Sequence, residues 1–342
     1  MSGIANPCKK NTAHCVLKMS KEGRIMAIKI LGTGAYVPPL VVTNDDLSKM
    51  VETSDEWITQ RVGVSERRIS TDETTADMAI KAAKSALESA SVTPGDIDLI
   101  VAASVSNELL CPTVAGSVQR AIGASCPAFD INSACSGFLF ALETAKNYIL
   151  GGNYKNALVI GAERMSNIID WTDRSTCVIF GDGAGAMVIT KGENYLASRL
   201  YTSGGNEVIE IPGFQGDSPF YKKEKKKSYV FMDGQETFKF AVSKMVEDVK
   251  YVADKAGVSL EDIDYIVPHQ ANTRIIEFAA KRLKIAKEKF IVNIQKLGNT
   301  SAASVAIAFD ELYKSGKLKK GDKIAICAFG GGLSSAACLI EY

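Results

Sequence analysis

Histidine is nearly missing: of 342 residues only His14 and His269 carry an imidazole. His14 lies in a basic N-terminal stretch without apolar periodicity, so a mechanism that needs an imidazole has one credible source, His269. The scarcity disfavours histidine-rich metal sites and excludes schemes that use two core histidines. Long apolar runs are missing too, none approaching the roughly 20 residues that span a bilayer. Neither sign of charge is in surplus; a net charge of +1 argues against bulk nucleic-acid binding, which usually shows a clear basic excess. The eight cysteines have no CxxC spacing and no paired framework of a short secreted chain, and read as reduced thiols of a cytoplasmic protein. A secretory signal is also absent: residues 1–25 are basic (Lys9, Lys10, Lys18, Lys21, Arg24) but lack an apolar centre. This leader is expected to be disordered, with the ordered chain starting near Met26 and a first strand at Ile28 to Leu31.

What is present is an ordinary globular composition, long enough for about two units of roughly 150 residues, and a repeat. Ser91 to Val101 matches Gly257 to Val267 position by position, without a gap. Each copy follows an amphipathic helix (Met78 to Leu87, Val242 to Val252) with apolar residues at i, i+3, i+4. In each, an Asp-Ile-Asp turn leads into a short buried strand. Further strands are expected at Ala128 to Ile131 and Phe290 to Ile294. Each leads into a helix of small and apolar residues that ends at Gly151-Gly152 or Gly316. Final strands follow at Ala157 to Ile160 and Lys323 to Cys327. The alternation predicts an α/β protein with mostly parallel sheets covered by helices, in two pseudo-twofold halves, 26–190 and 191–342. Gly204 to Lys227 interrupts the order with Gly, Pro and Lys. It reads as a surface excursion, its lysine run Lys222 to Lys227 as a solvated loop.

Cys135, within Asn132 to Phe138, opens the helix of the first half. Asn299, within Leu297 to Ser304, occupies the corresponding turn of the second, at nearly the spacing of the repeat. His269 lies just past the carboxyl end of the repeated strand, where open α/β sheets place ligand sites. Pseudo-symmetry would bring the two turns face to face, so that thiol, imidazole and carboxamide share one cavity. A cysteine at a helix N-terminus feels unpaired N–H groups and the positive dipole end, which favour thiolate. The small neighbours Ser133, Ala134, Ser136 and Gly137 leave room for an acyl group. Gly330 to Gly332, after a strand, can bring backbone N–H groups to a reacting oxygen. Cys111, Cys126, Cys177, Cys327 and Cys338 read as structural, since cysteine is among the most buried residue types. Phe180 to Ala186 is glycine-rich, but Met187 to Thr190 after it is a strand rather than a helix. The dinucleotide fingerprint therefore fails, and a β-turn beside the site is expected.

Together these segments resemble the thiolase-superfamily condensing enzymes, most closely the β-ketoacyl-acyl-carrier-protein synthase III family, from about Met26 to Tyr342. The marks are Ser54 to Ile58 with Arg61, Gly63 to Ile69, the Cys135 segment, Thr172 to Arg174, Phe180 to Ala186, His269 to Arg274, Gly298 to Ser301 and Phe329 to Gly332. The resemblance implies a thiolase-like duplicated fold, layered αβαβα with two pseudo-twofold-related mixed sheets, a homodimer, and a catalytic triad of Cys135, His269 and Asn299. It implies an oxyanion hole from the N–H groups of Cys135 and Gly331. It further implies a coenzyme A tunnel, with adenine between Trp57 and Arg174, and with Arg61 and Asn272 at the phosphates and pantetheine arm. A basic patch for the acyl-carrier protein falls on Lys239, Arg274, Lys281 and Arg282. Cys111 of the partner subunit would wall the acyl pocket, where relatives often have phenylalanine.

The implied activity is a decarboxylative Claisen condensation of an acyl-CoA primer with malonyl-acyl-carrier protein, in the cytoplasm. It needs no metal or cofactor and no nucleic-acid or membrane partner. Elongation synthases would need two histidines, and thiolases a second catalytic cysteine in place of Asn299. Hydroxymethylglutaryl-CoA synthases would need a glutamate near the nucleophile, for which no motif is visible. Plant-type polyketide synthases share the triad and are the nearest enzymatic rival. A silent scaffold and a cysteine hydrolase are the rivals from other classes.

Overall fold

The structure, a computed structural model, describes residues 27–213, 216, 218–222, 224 and 229–342. The basic leader expected over residues 1–25, and part of the lysine run 222–227, lie outside the described residues. Strands β1 (Ala27–Tyr36), β2 (Leu99–Ala103), β3 (Ala128–Ile131), β4 (Asn156–Arg164) and β5 (Asp182–Gly192) form one sheet in the order β1-β5-β4-β2-β3. Strands β6 (Tyr195–Thr202), β7 (Tyr265–Pro268), β8 (Lys323–Gly330) and β9 (Ser334–Glu341) form a second in the order β7-β8-β9-β6.

Followed from β6, the second sheet repeats the first. The pairs β1–β5 and β5–β4 are antiparallel, as are β6–β9 and β9–β8. The pairs β4–β2 and β2–β3 are parallel, as is β8–β7. Phe290 makes a parallel bridge to Ile266 where the first sheet has β3. The repeat in the sequence is thus the visible trace of a duplicated sheet. Both sheets are mixed rather than mostly parallel. Parallel neighbours need a crossover helix, and none intervenes between β4 and β5 or between β8 and β9.

Six helices complete the layers: α1 (Thr75–Ala90), α2 (Val114–Ile122), α3 (Gly137–Leu150), α4 (Gly234–Ala256), α5 (Thr273–Leu283) and α6 (Ser304–Lys314). The two-residue period of a strand sends alternate side chains to opposite faces. Leu99, Val101 and Ala103 of β2 therefore pack with α3 and α6 in the centre, while Ile100 and Ala102 pack with α1 and α2 outside. Both faces are covered, which is why β2 reads as an unbroken apolar run. Phe138, Leu142, Phe309 and Leu312 of the central helices meet Val159 of one sheet and Val267 and Ile326 of the other. Val242, Val249 and Ile276 of α4 and α5 cover Ala325 and Leu339 on the far side. The order of layers is αβαβα.

Local departures have physical causes. The strand expected at Phe290 to Ile294 reduces to the single bridge at Phe290, and Ile294–Leu297 is a short helix. The Gln270 carboxamide oxygen accepts the N–H groups of Asn293 (3.0 Å) and Ile294 (3.2 Å), so a side chain takes the place of a strand partner. The glycine-rich segment after Phe180 is no β-turn: from Asp182 it is already strand β5. The excursion after Gly204 is also more than surface. Ile209–Glu210 pairs with Phe231–Met232 as a short ribbon, and its Ile209 and Met232 side chains line the cavity described next.

Candidate active site

A cavity of about 170 Å³ opens between the halves, and Cys135, His269, Asn299, Ser301, Gly330 and Gly331 are in its wall. Cys135 and His269 come from strand ends, and Asn299 follows the short helix Ile294–Leu297. Cys135 follows β3 in a single 3₁₀ turn, Ala134–Ser136, that feeds α3. Ser301–Ala303 forms the matching turn before α6. Ala134 and Ser301 both have positive φ, 45° and 48°. Asn132 Oδ1 accepts the Ala134 N–H at 3.1 Å just as Asn299 Oδ1 accepts the Ser301 N–H at 2.8 Å. The structural counterpart of Asn299 is therefore Asn132, not Cys135, which corrects the pairing expected from the spacing of the repeat. The two turns do face one cavity.

The Asn299 backbone is pinned by Ile179 and Gly181, its N–H to the Ile179 carbonyl (2.9 Å) and its carbonyl to the Gly181 N–H (3.1 Å). With Oδ1 taken by Ser301, the Nδ2 amide is the part of the side chain left to donate. His269 is buried against the Phe329 ring at 5.2 Å. Its Nδ1 lies 2.5 Å from the Ser304 hydroxyl, which also accepts the Gln270 N–H at 3.4 Å. A Ser304 hydroxyl that donates to Nδ1 puts the ring proton on Nε2, the tautomer in which the imidazole is a donor at that atom. Burial pushes the His269 pKa down to about 3, so the ring is a neutral donor at physiological pH.

Cys135 departs from expectation. Burial pushes its thiol up to about 11, and the Glu163 charge adds to the rise while a Ser301 hydrogen bond opposes it. Desolvation outweighs the helix end, and the resting nucleophile is a thiol rather than a thiolate. Gly330 makes room for it: a Cβ there would lie 2.7 Å from Cys135 Cβ and 3.1 Å from Sγ. Of the other described cysteines, Cys126, Cys177, Cys327 and Cys338 are buried, whereas Cys111 is exposed and is not the buried structural residue expected.

Known proteins of similar sequence and structure give the family. Residues 129–204 match the family profile described as 3-oxoacyl-[acyl-carrier-protein] synthase III, and residues 253–342 match its C-terminal counterpart. A β-ketoacyl-[acyl-carrier-protein] synthase III of Clostridium beijerinckii is 52% identical over 320 residues, 92% of this chain and 99% of the relative. The chain belongs to the β-ketoacyl-[acyl-carrier-protein] synthase III family. The crystal structure of the Aquifex aeolicus synthase III superposes with a TM-score of 0.86 at 48% identity, covering 92% of this chain and all of that one. The priming β-ketosynthase of the R1128 polyketide pathway gives 0.86 at 33% identity, covering 92% and 96%. As a synthase III the chain is a condensing acyltransferase with a thiolase-like fold.

The remaining synthase III expectations fall around this cavity to different degrees. Trp57, on the short helix Asp55–Arg61, has the Arg174 guanidinium 5.3 Å and the Arg61 guanidinium 5.9 Å from its ring. None of the three is in the wall, but Ser175 beside Arg174 is, and so is Asn272. The Asn272 amide donates to the Arg61 carbonyl (2.9 Å) and its oxygen caps α5 at Arg274 N–H (2.9 Å). Arg274, Lys281 and Arg282 are exposed on α5, at i, i+7 and i+8, with half-exposed Phe278 between them. Arg274 sits over the Phe238 ring at 5.7 Å. Lys239 on α4 is tied to Glu236 at 2.7 Å.

Sequence reasoning missed three things. Ser304 holds the imidazole at Nδ1 and Ile209 and Met232 wall the cavity, yet nothing marks them locally. Glu163 was overlooked although it had a signal, being a carboxylate that follows directly on the apolar run of strand β4. A glutamate does stand near the nucleophile, but it lies behind Ser301 rather than in the cavity wall.

Proposed function

We propose that the protein starts chains of fatty-acid type, joining an acyl-CoA primer to malonyl-acyl-carrier protein to give 3-oxoacyl-acyl-carrier protein, coenzyme A and CO2. Cys135 Sγ attacks the primer thioester, with the N–H groups of Cys135 and Gly331 as oxyanion donors. The C–S bond to coenzyme A breaks, the thiol proton departs on the coenzyme, and an acyl-enzyme remains. Malonyl-acyl-carrier protein then enters and its carboxylate leaves as CO2. His269 Nε2–H and Asn299 Nδ2–H donate to the thioester oxygen of the enolate, whose carbon attacks the acyl-enzyme carbonyl; the acyl C–S bond breaks, and the Cys135 thiolate released takes a proton from water. The observation that carries this reading is that the neutral His269 ring and the Asn299 amide share the wall of one cavity with the Cys135 thiol. Neither donor is arranged to activate water, which counts against a cysteine hydrolase.

Trp57 and Arg174 would hold the adenine, and Arg61 and Asn272 the phosphates and pantetheine arm, at the mouth of this cavity. The carrier protein is acidic, and the exposed face Arg274, Phe278, Lys281, Arg282, with Lys239 nearby, suits it in charge and in apolar content. A homodimer is favoured by β3, an edge strand with half-buried Phe129 and Ile131, and by exposed Leu109 and Leu110. Within such a dimer Cys111 of the partner subunit walls the primer pocket. No metal or redox group is required by this chemistry. Among the described residues no helix is long and apolar enough to cross a membrane, and we assign the protein to the cytoplasm.

Incubation with a panel of acyl-CoAs, followed by intact mass and peptide mapping, tests the reading. One acyl group is expected on the peptide holding Cys135, persisting until malonyl-acyl-carrier protein is added. Acyl groups on another cysteine, or rapid loss to water, would overturn it.

A further inference from the structure

A buried charge without a counter-ion lies beside the segment that presents Asn299. Arg67, in the strand Glu66–Ile69, is 0% exposed. Its Nη1 donates to the Val42 carbonyl at 3.2 Å and its Nη2 to the Val178 carbonyl at 2.8 Å, while Nε meets no acceptor. Among the described residues it forms no ion pair; the neighbouring Glu66 lies 4.0 Å from Arg68 instead. Burying a guanidinium without a counter-ion is costly, and packing alone would accept an apolar side chain of similar volume. What Arg67 supplies is a grip on one carbonyl from a distant part of the chain.

That carbonyl belongs to the segment on which Asn299 rests. The Asn299 N–H and carbonyl both bond to it, at Ile179 (2.9 Å) and Gly181 (3.1 Å), so that Phe180 and Asn299 pair as a parallel bridge. Upstream the segment runs in short turns. The Cys177 N–H goes to the Asp173 carbonyl and the Ile179 N–H to the Thr176 carbonyl, each at 3.0 Å. Such turns set local shape without setting position relative to the rest of the fold. Arg67 sets position. Its guanidinium is anchored on the ribbon of Leu40–Thr43 with Glu66–Ile69, and Nη2 carries that anchor to Val178. The stem of the side chain fits against the same place: a Cβ on Gly181 or on Gly298 would lie 3.3 Å from Arg67 Cβ. Gly181 follows Phe180 and Gly298 precedes Asn299, so the stem packs on both strands of the bridge. Arg67 is absent from the cavity wall and touches no reacting atom.

We propose that Arg67 is a positioning residue for the second half-reaction: by holding the Val178 carbonyl it sets the place of Asn299, and so of the Nδ2 donor that the enolate needs. Acyl transfer to Cys135 does not depend on it. The Cys135 turn is held from the other sheet, by Ser334 Oγ at Ser136 Oγ (2.7 Å) and at the Ser133 carbonyl (3.1 Å). The inference rests on Asn299 being a donor in decarboxylation.

Arg67→Met tests it, keeping the apolar stem and removing the donors. Single-turnover assays on the full-length protein measure acyl transfer from acetyl-CoA and CO2 release from malonyl-acyl-carrier protein separately. Decarboxylation is expected to fall by about 10–100-fold, as for an ångström-scale misplacement, with acyl transfer within about twofold of wild type. The apparent KM for malonyl-acyl-carrier protein should move less than kcat. Arg67→Lys, which keeps the charge and a donor for one carbonyl, should recover part of the loss. The double variant decides. With Asn299→Ala the donor is already gone, so adding Arg67→Met should slow decarboxylation by no more than about twofold further.

A merely structural role would lower thermal stability and reduce both half-reactions together, and its effect would add in full to that of Asn299→Ala. Either result overturns the proposal. Should Arg67→Met fail to fold, Arg67→Lys takes its place: a smaller but still selective fall is expected, and an unchanged decarboxylation rate overturns the proposal. If Asn299→Ala itself leaves decarboxylation unchanged, the donor reading fails and this inference goes with it. If Asn299→Ala slows decarboxylation and Arg67→Met does not, this inference alone fails.

Discussion

His269 is held neutral by burial, with its Nδ1 against the Ser304 hydroxyl, which has a kinetic consequence. A group whose pKa falls from 6.5 to about 3 takes up a proton only far below the physiological range. Between pH 5 and 8 its Nε2–H is therefore available without change of charge, and malonyl decarboxylation should show no inflection near 6.5. His269→Ala and Asn299→Ala should each slow decarboxylation by about 10²–10³-fold, the usual cost of one preorganised donor, while acyl transfer to Cys135 continues at a substantial rate. Single-turnover assays of the two half-reactions measure this division, and a parallel fall in both would contradict it. That these residues share one cavity was legible in the sequence because His269 has no competitor and Cys135 sits among small neighbours. Their protonation was not. The thiolate expected at a helix start is a thiol, because desolvation depends on what the other half of the chain brings against it.

At the scale of elements, the first sheet and the central helix α6 are set by how closely backbone can approach backbone. Gly161 on β4 is the point of contact: a Cβ there would lie 2.5 Å from the Ala302 carbonyl oxygen, which no rotamer change relieves. Gly161→Ala should displace the 3₁₀ turn that holds Asn299 and Ser301, lowering stability by about 1–3 kcal/mol as overpacked cores do and reducing decarboxylation with it. Gly95→Ala is the control, since its Cβ would meet only Thr93 Oγ1 at 3.7 Å. Thermal melts and the decarboxylation assay report the contrast; equal effects at both positions would show that the close approach does not matter. The strands and helices that carry this packing were mostly visible as periodicity, β2 and α1 best of all. What periodicity could not show was pairing sense, set by the missing crossovers. Nor could it show that the strand expected from Phe290 would yield to a side chain, Gln270, from the loop after β7.

For the whole molecule, duplication explains why the site lies where it does, since each half contributes one turn and one strand end to the same cavity. The primer end of that cavity is the part a single chain does not complete. Cys111 is exposed and absent from the cavity wall of its own chain, beside Leu110, which is 82% exposed. In the proposed dimer this loop is what the partner subunit brings to the pocket, with Cys111 of the partner subunit at the place where the resemblance implies an aromatic ring in relatives. A thiol in place of a ring leaves volume, and each accommodated methylene is worth about 1–3 kcal/mol in discrimination. Butyryl-, hexanoyl- and branched acyl-CoAs should therefore compete with acetyl-CoA for the wild-type enzyme. Cys111→Phe should cut kcat/KM for the longer primers by roughly 10–200-fold while sparing acetyl-CoA. The rival outcome is that Leu110 swings in to fill the gap, in which case acetyl-CoA is steeply preferred from the start and Cys111→Phe changes nothing. Comparing kcat/KM across chain lengths for the two proteins separates the two, and the second pattern would refute the roomier pocket.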